Sequence, residues 1–126
     1  MATPLLTPHW KVTDEKVEKA VQKIVEIGQP LKIILFGSYV LGETTTNSDL
    51  DILVVTSNEI SDARRESVRI RHALRGISMP MDILVVPQSR WEELKHIPGL
   101  IYREAMTKGK VVYESRERTG SSRFTP

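Results

Sequence analysis

The sequence predicts an α/β (α+β) fold, a small mixed sheet with helices packed on it. Three apolar runs, at residues 31–36, 50–55 and 81–86, have strand length and are bounded by Gly, Ser or Pro. Segments with helical apolar spacing or helix-ending residues lie beside and between them. A chain of 126 residues, 40% hydrophobic and 27% charged, suits a single domain with an ordinary core. The expected organisation is an N-terminal arm over 1–12, one domain over 13–113, and a polar C-terminal tail over 114–126 that is disordered.

The elements follow in order. Pro4 and Pro8 make the arm irregular. Thr13 has the chemistry of an N-cap, and Asp14 and Glu15 suit the first turn of a helix. Val17, Val21, Ile24 and Val25 recur at helical spacing, Gly28 is a stop, and Pro30 prevents a restart. The first strand ends at Gly37-Ser38, before a helical turn over 39–41 closed by Gly42. Residues 43–48 are polar and Thr-rich, hence loop, and the second strand follows. A helix over 59–75 comes next, closed by Gly76, with Val68, Ile70, Ala73 and Leu74 inward. Its Arg64, Arg65, Arg69, Arg71 and Arg75 read as a solvated basic face. The third strand stops at Pro87. Ser89, with Glu92 three residues on, predicts a capping box for a short helix through Lys95. A helix over 100–108 stops at Gly109, and 111–113 form a last edge strand.

Composition excludes several kinds of chemistry. There is no cysteine, so disulfides, thiolate catalysis and Fe–S clusters are out. The net charge of +2 and pI of 9.0 do not indicate nucleic-acid binding. No apolar run approaches the roughly 18 residues of a membrane helix, and the N-terminus lacks a secretory pattern, so the expected location is cytoplasmic with no membrane contact. His9, His72 and His96 have no metal-ligand spacing and read as surface or boundary residues. No nucleophile elbow surrounds Ser38, and no Lys-Ser/Thr completes a Walker loop. Trp10, Trp91 and Tyr102 read as packing residues.

Three places break the local rules. Gly37-Ser38, at a strand end before a helical turn, offers outward backbone N–H groups to an anion. Asp49 and Asp51, two residues apart, share a face at the entrance to an apolar strand. Their like charges call for a compensating cation, and hard carboxylate oxygens suit Mg²⁺ or Mn²⁺. Asp82 is an acid inside the third apolar run, costly unless paired or bound. All three reach one sheet rim if strand one is antiparallel to strand two and strands two and three are parallel. A phosphate-binding turn beside three carboxylates is the apparatus of two-metal phosphoryl-type transfer.

The run Phe36-Gly37-Ser38, ten residues, then Asp49-Leu50-Asp51-Ile52-Leu53-Val54 resembles the signature of the DNA polymerase beta-like nucleotidyltransferase superfamily, most closely its minimal (MNT) branch. Asp82 matches the third acid by its place on the next strand. The resemblance covers roughly residues 13–113. It implies that nucleoside triphosphate, with ATP the expected donor, binds at Gly37 and Ser38. Asp49, Asp51 and Asp82 would hold two Mg²⁺ ions, and a nucleoside monophosphate would pass to an acceptor hydroxyl with release of pyrophosphate. It also implies a HEPN-domain protein as partner, in a toxin–antitoxin pair. The sequence departs from the family in one place. Where many relatives have Gly-Ser-Arg-x-Arg-Gly, this chain has Gly37-Ser38-Tyr39-Val40-Leu41-Gly42, without a positive charge in the turn. Two alternatives stay open: a weak or inactive binding module that neutralises a partner by contact, which the missing charge motivates, and transfer to a small molecule or RNA end. A minimal domain takes its acceptor from a partner or a second copy, which leaves room for a homo-oligomer.

Overall fold

Thr13 caps the first helix as its chemistry implies: its side-chain oxygen accepts the Lys16 N–H at 3.3 Å, and α1 runs Asp14–Gly28. The computed structural model describes residues 11–42, 49–58 and 62–115. The predicted loop over 43–48 lies outside these residues, as do most of the arm and the tail beyond Ser115. After α1 come β1 (Lys32–Phe36), α2 (Ser38–Leu41), β2 (Leu50–Thr56), α3 (Ala63–Ala73), β3 (Met81–Pro87), α4 (Gln88–Leu94), α5 (Ile101–Lys108) and β4 (Lys110–Glu114). Among the described residues no helix is long and apolar enough to cross a membrane.

The strands form one mixed sheet in the order β3-β2-β1-β4. β1 is antiparallel to β2 and to β4, whereas β2 and β3 are parallel. The two inner strands are almost wholly buried, which is why their sequences are continuous apolar runs without alternation. Alternate residues serve two cores. Ile33, Leu35, Leu50, Ile52 and Val54 join Val17, Ala20 and Ile24 of α1 and Ile70 of α3. Ile34, Phe36, Leu53 and Val55 join Trp91 of α4 and Ala105 of α5. The sheet thus has an α1–α3 face and an α4–α5 face.

α1 stops at Gly28 as expected, although the left-handed residue that closes it is Gln29, with φ 44°. Gly28 also serves close approach, since a Cβ there would lie 3.3 Å from Glu66 Oε2. Three other local expectations need correcting. The third helix is shorter than 59–75: Asp62 caps it by accepting the Arg65 N–H at 3.1 Å, and it ends at Ala73. Residues 59–61 are outside the described part. Its inner stripe is Glu66, Ile70 and Leu74, at steps of four, and Val68 is 61% exposed. The stripe was hard to read because one member is charged. Finally, Ser89 caps nothing with its side chain, and α4 starts from Pro87. The Ser89 N–H donates to Asn58 Oδ1 at 2.9 Å, and Glu92 pairs with Lys95 at 2.8 Å.

Glu66 is buried because it has a partner. Arg69 donates to both its oxygens, at 3.1 and 2.9 Å, and also to the Ile27 carbonyl in the last turn of α1. A helix-end carbonyl that would lack an intrahelical partner is thereby satisfied. The pair straps α3 onto α1. Arg69→Ala leaves a buried carboxylate without its donor and is expected to lower the unfolding free energy by about 1–3 kcal/mol. Urea denaturation would show this as a lower midpoint at unchanged slope.

Candidate active site

Pairing brings the sequence-predicted residues to one end of the sheet. Phe36, the last residue of β1, is opposite Asp51 near the start of β2. Gly37 and Ser38 follow Phe36 directly. Asp51 is in register with Asp82 across the parallel β2–β3 pair, where neighbouring strands are about 4.8 Å apart. Asp51 has the parity of Leu53 and Val55, and Asp82 that of Leu84 and Val86, so both belong to the α4–α5 face. Asp49 is exposed one residue before β2.

Gly37 and Asp51 depend on each other. Gly37 has φ 85° and ψ −161°, a region essentially reserved for glycine. A Cβ at this position would stand 2.1 Å from Asp51 Oδ2. The absent side chain thus makes room for the carboxylate, a more specific use than the general approach of an anion inferred from sequence. α2 closes at Gly42, with φ 75°, whose N–H reaches the carbonyls of Ser38 and Tyr39.

Asp51 holds its proton more tightly than an ordinary carboxyl at 3.8. The causes, in order, are burial and the negative charges of Asp82, Asp49 and Glu104. Glu104, on the exposed side of α5, is an acid that sequence reasoning missed; only the packing of α5 on the sheet brings it near. Among the described residues, no three His, Asp or Glu side chains already converge as metal ligands. Asp82 is 66% exposed at its side chain and faces Arg71, 3.8 Å away. The donor chemistry fits a hard divalent cation all the same: oxygen ligands only, and like charges at Asp51 that a cation would offset. Tyr39, where the resembled signature has Arg, donates its hydroxyl to Asp14 Oδ1. Burial first, and then Asp14, push its phenol up to about 12. Its hydroxyl is therefore committed to α1 as a neutral donor.

With this geometry in view, the comparisons are consistent. The family model for the nucleotidyltransferase domain matches residues 15–112. A candidate nucleotidyltransferase from Sulfolobus solfataricus superposes with TM-score 0.55 at 16% identity, covering 79% of this chain and 78% of that one. A toxin–antitoxin solved with AMP-PNP is similar with TM-score 0.54 at 20% identity, covering 83% and 76%. A mutant of the toxin–antitoxin MntA-HpeT matches with TM-score 0.54 at 18% identity over the same shares. At these identities the structural likeness establishes the fold. No curated protein matches the chain in sequence.

Two outcomes follow from the Gly37–Asp51 contact and the charge around it. Gly37→Ala is expected to cost about 1–3 kcal/mol from its backbone alone, with the clash on Asp51 added, read as a lower urea midpoint. Asp51 has a folded-state value above its unfolded one, so its penalty on stability is absent below pH 3.8 and grows as pH rises through the raised value. Asp51→Asn removes that penalty and is expected to raise Tm at pH 7. Thermal melts should show the gain shrinking as pH falls toward 4.

Proposed function

The chain belongs to the nucleotidyltransferase domain family, and from that premise we propose that it transfers AMP from ATP to an acceptor hydroxyl on a partner protein, releasing pyrophosphate. The observation that carries this reading is the Phe36–Asp51–Asp82 register, which sets two acids side by side next to Gly37-Ser38. The likeness to a toxin–antitoxin solved with AMP-PNP supports an adenine nucleotide and a partner protein. A HEPN-domain protein is the partner expected from the sequence resemblance, with this chain as the antitoxin.

Asp49, Asp51 and Asp82 are the residues that would hold Mg²⁺, which when bound supplies charge neutralisation at the phosphates and acidifies the acceptor hydroxyl. The protein's own groups have separate tasks. The backbone N–H groups at Gly37 and Ser38 receive phosphate oxygens. The tether from Tyr39 to Asp14 fixes the turn against α1. Asp51 stays close to the turn because Gly37 leaves it room. Asp82, exposed and at the edge of the sheet, is the acid best placed to meet an incoming hydroxyl and accept its proton.

A second reading has one observation in its favour. The turn has no arginine, and Tyr39 is turned back on α1, so the positive charge that the resembled signature carries after Gly-Ser is missing there. On that reading the chain neutralises its partner by contact, and chemistry is weak or lost.

Incubation of the chain and a HEPN-domain partner with α-labelled ATP and Mg²⁺ tests both readings. Transfer predicts label in the partner and an intact-mass gain of AMP units. Asp51→Asn is expected to reduce incorporation by about 10²–10³-fold. Full incorporation by that variant would remove Asp51 from the site. Neutralisation that survives in it without any label would favour contact alone.

A further inference from the structure

Among the described residues, Arg71 is the one cation within ion-pair distance of any of the acids Asp49, Asp51, Asp82 and Glu104. It comes from α3, on the sheet face opposite the acids, and reaches round the outer edge of β3. Its terminal N–H donates to the Ile83 carbonyl at 3.0 Å, and Nε donates to Ser67 Oγ at 3.4 Å. The Ile83 carbonyl belongs to an edge strand, so the guanidinium takes the place of a further strand. The same terminal nitrogen lies 3.8 Å from Asp82 Oδ1, with 48% and 66% of the two side chains exposed. The contacts are unequal. The one to the backbone is a hydrogen bond of ordinary length; the one to Asp82 is long, exposed and therefore weak. Arg71 is thus held in place independently of the acid it faces.

We infer that Arg71 is a positioning residue that pairs with Asp82 until a divalent cation competes for it. The inference rests on the metal-site reading of the proposed function and adds an element outside the Gly-Ser and Asp-x-Asp runs. A metal that recruits Asp82 breaks only the weaker contact. Arg71 then stays on the Ile83 carbonyl.

Mn²⁺ alone, titrated calorimetrically into the full chain, tests this in the wild type, Arg71→Gln, Asp82→Asn and the double variant. Arg71 is half exposed, so Gln there leaves the core untouched. Arg71→Gln is expected to bind Mn²⁺ about two- to fivefold more tightly, the range set by an exposed ion pair. In the Asp82→Asn background the same change is expected to leave affinity unaltered. An equal gain in both backgrounds would reveal a general charge effect and overturn the inference, as would no gain in the single variant. If Asp82→Asn by itself left Mn²⁺ affinity at the wild-type level, the metal-site reading would fall, and this inference with it.

Discussion

The steric interlock of Gly37 with Asp51 is the constraint on which the rest of the site depends. The glycine has a backbone conformation that other residues adopt only with strain, and its missing side chain is where the carboxylate stands. Because Phe36 pairs with Asp51, the turn and the acid come from antiparallel strands whose register is set by a buried apolar ladder. A one-residue slip would send Asp51 to the α1–α3 face and part it from Glu104 and α5. The hydrophobic pattern that stabilises the sheet therefore also determines which face holds the acid.

That placement works against stability. Burial and three neighbouring negative charges all disfavour an ionised Asp51. A fold selected for stability alone would put an amide or an apolar residue there. Strand interiors disfavour aspartate in any case, and nothing in the sheet requires two acids in register. The arrangement is intelligible as a site held ready for a cation, at a cost borne by the two apolar cores.

The strand arrangement was readable because buried strands leave continuous apolar runs and because Gly37, Gly42 and Pro87 punctuate the chain. Antiparallel and parallel pairing was the arrangement that would bring Asp51 and Asp82 to the rim of Gly37-Ser38, and the connecting lengths allowed it. What escaped has a common physical origin: long polar side chains that act across elements. Glu66 broke the apolar stripe of α3 while belonging to it. Arg69 and Arg71, in a helix that looks like a solvated basic face, are committed to the Ile27 and Ile83 carbonyls. Glu104 has no local signal at all, since its proximity to Asp51 exists only after α5 packs on β1. The capping box at Ser89 and Glu92 failed because Pro87 begins α4 earlier.

These committed side chains give α3 a mechanical role. Arg69 fixes one side of the helix to the end of α1, and Arg71, two residues on, fixes it to the edge of β3. α1 in turn presents Asp14 to Tyr39 in the turn after Gly37-Ser38. A chain of contacts thus runs from the anion turn through α1 and α3 to Asp82, passing behind the sheet, while the acids face the other way. α3 can move only if its hydrogen bonds to the Ile27 and Ile83 carbonyls or the Glu66–Arg69 pair give way, and these are harder to break than the exposed contact of Arg71 with Asp82. α3 is therefore held more firmly to α1 and to β3 than Arg71 is to the third acid.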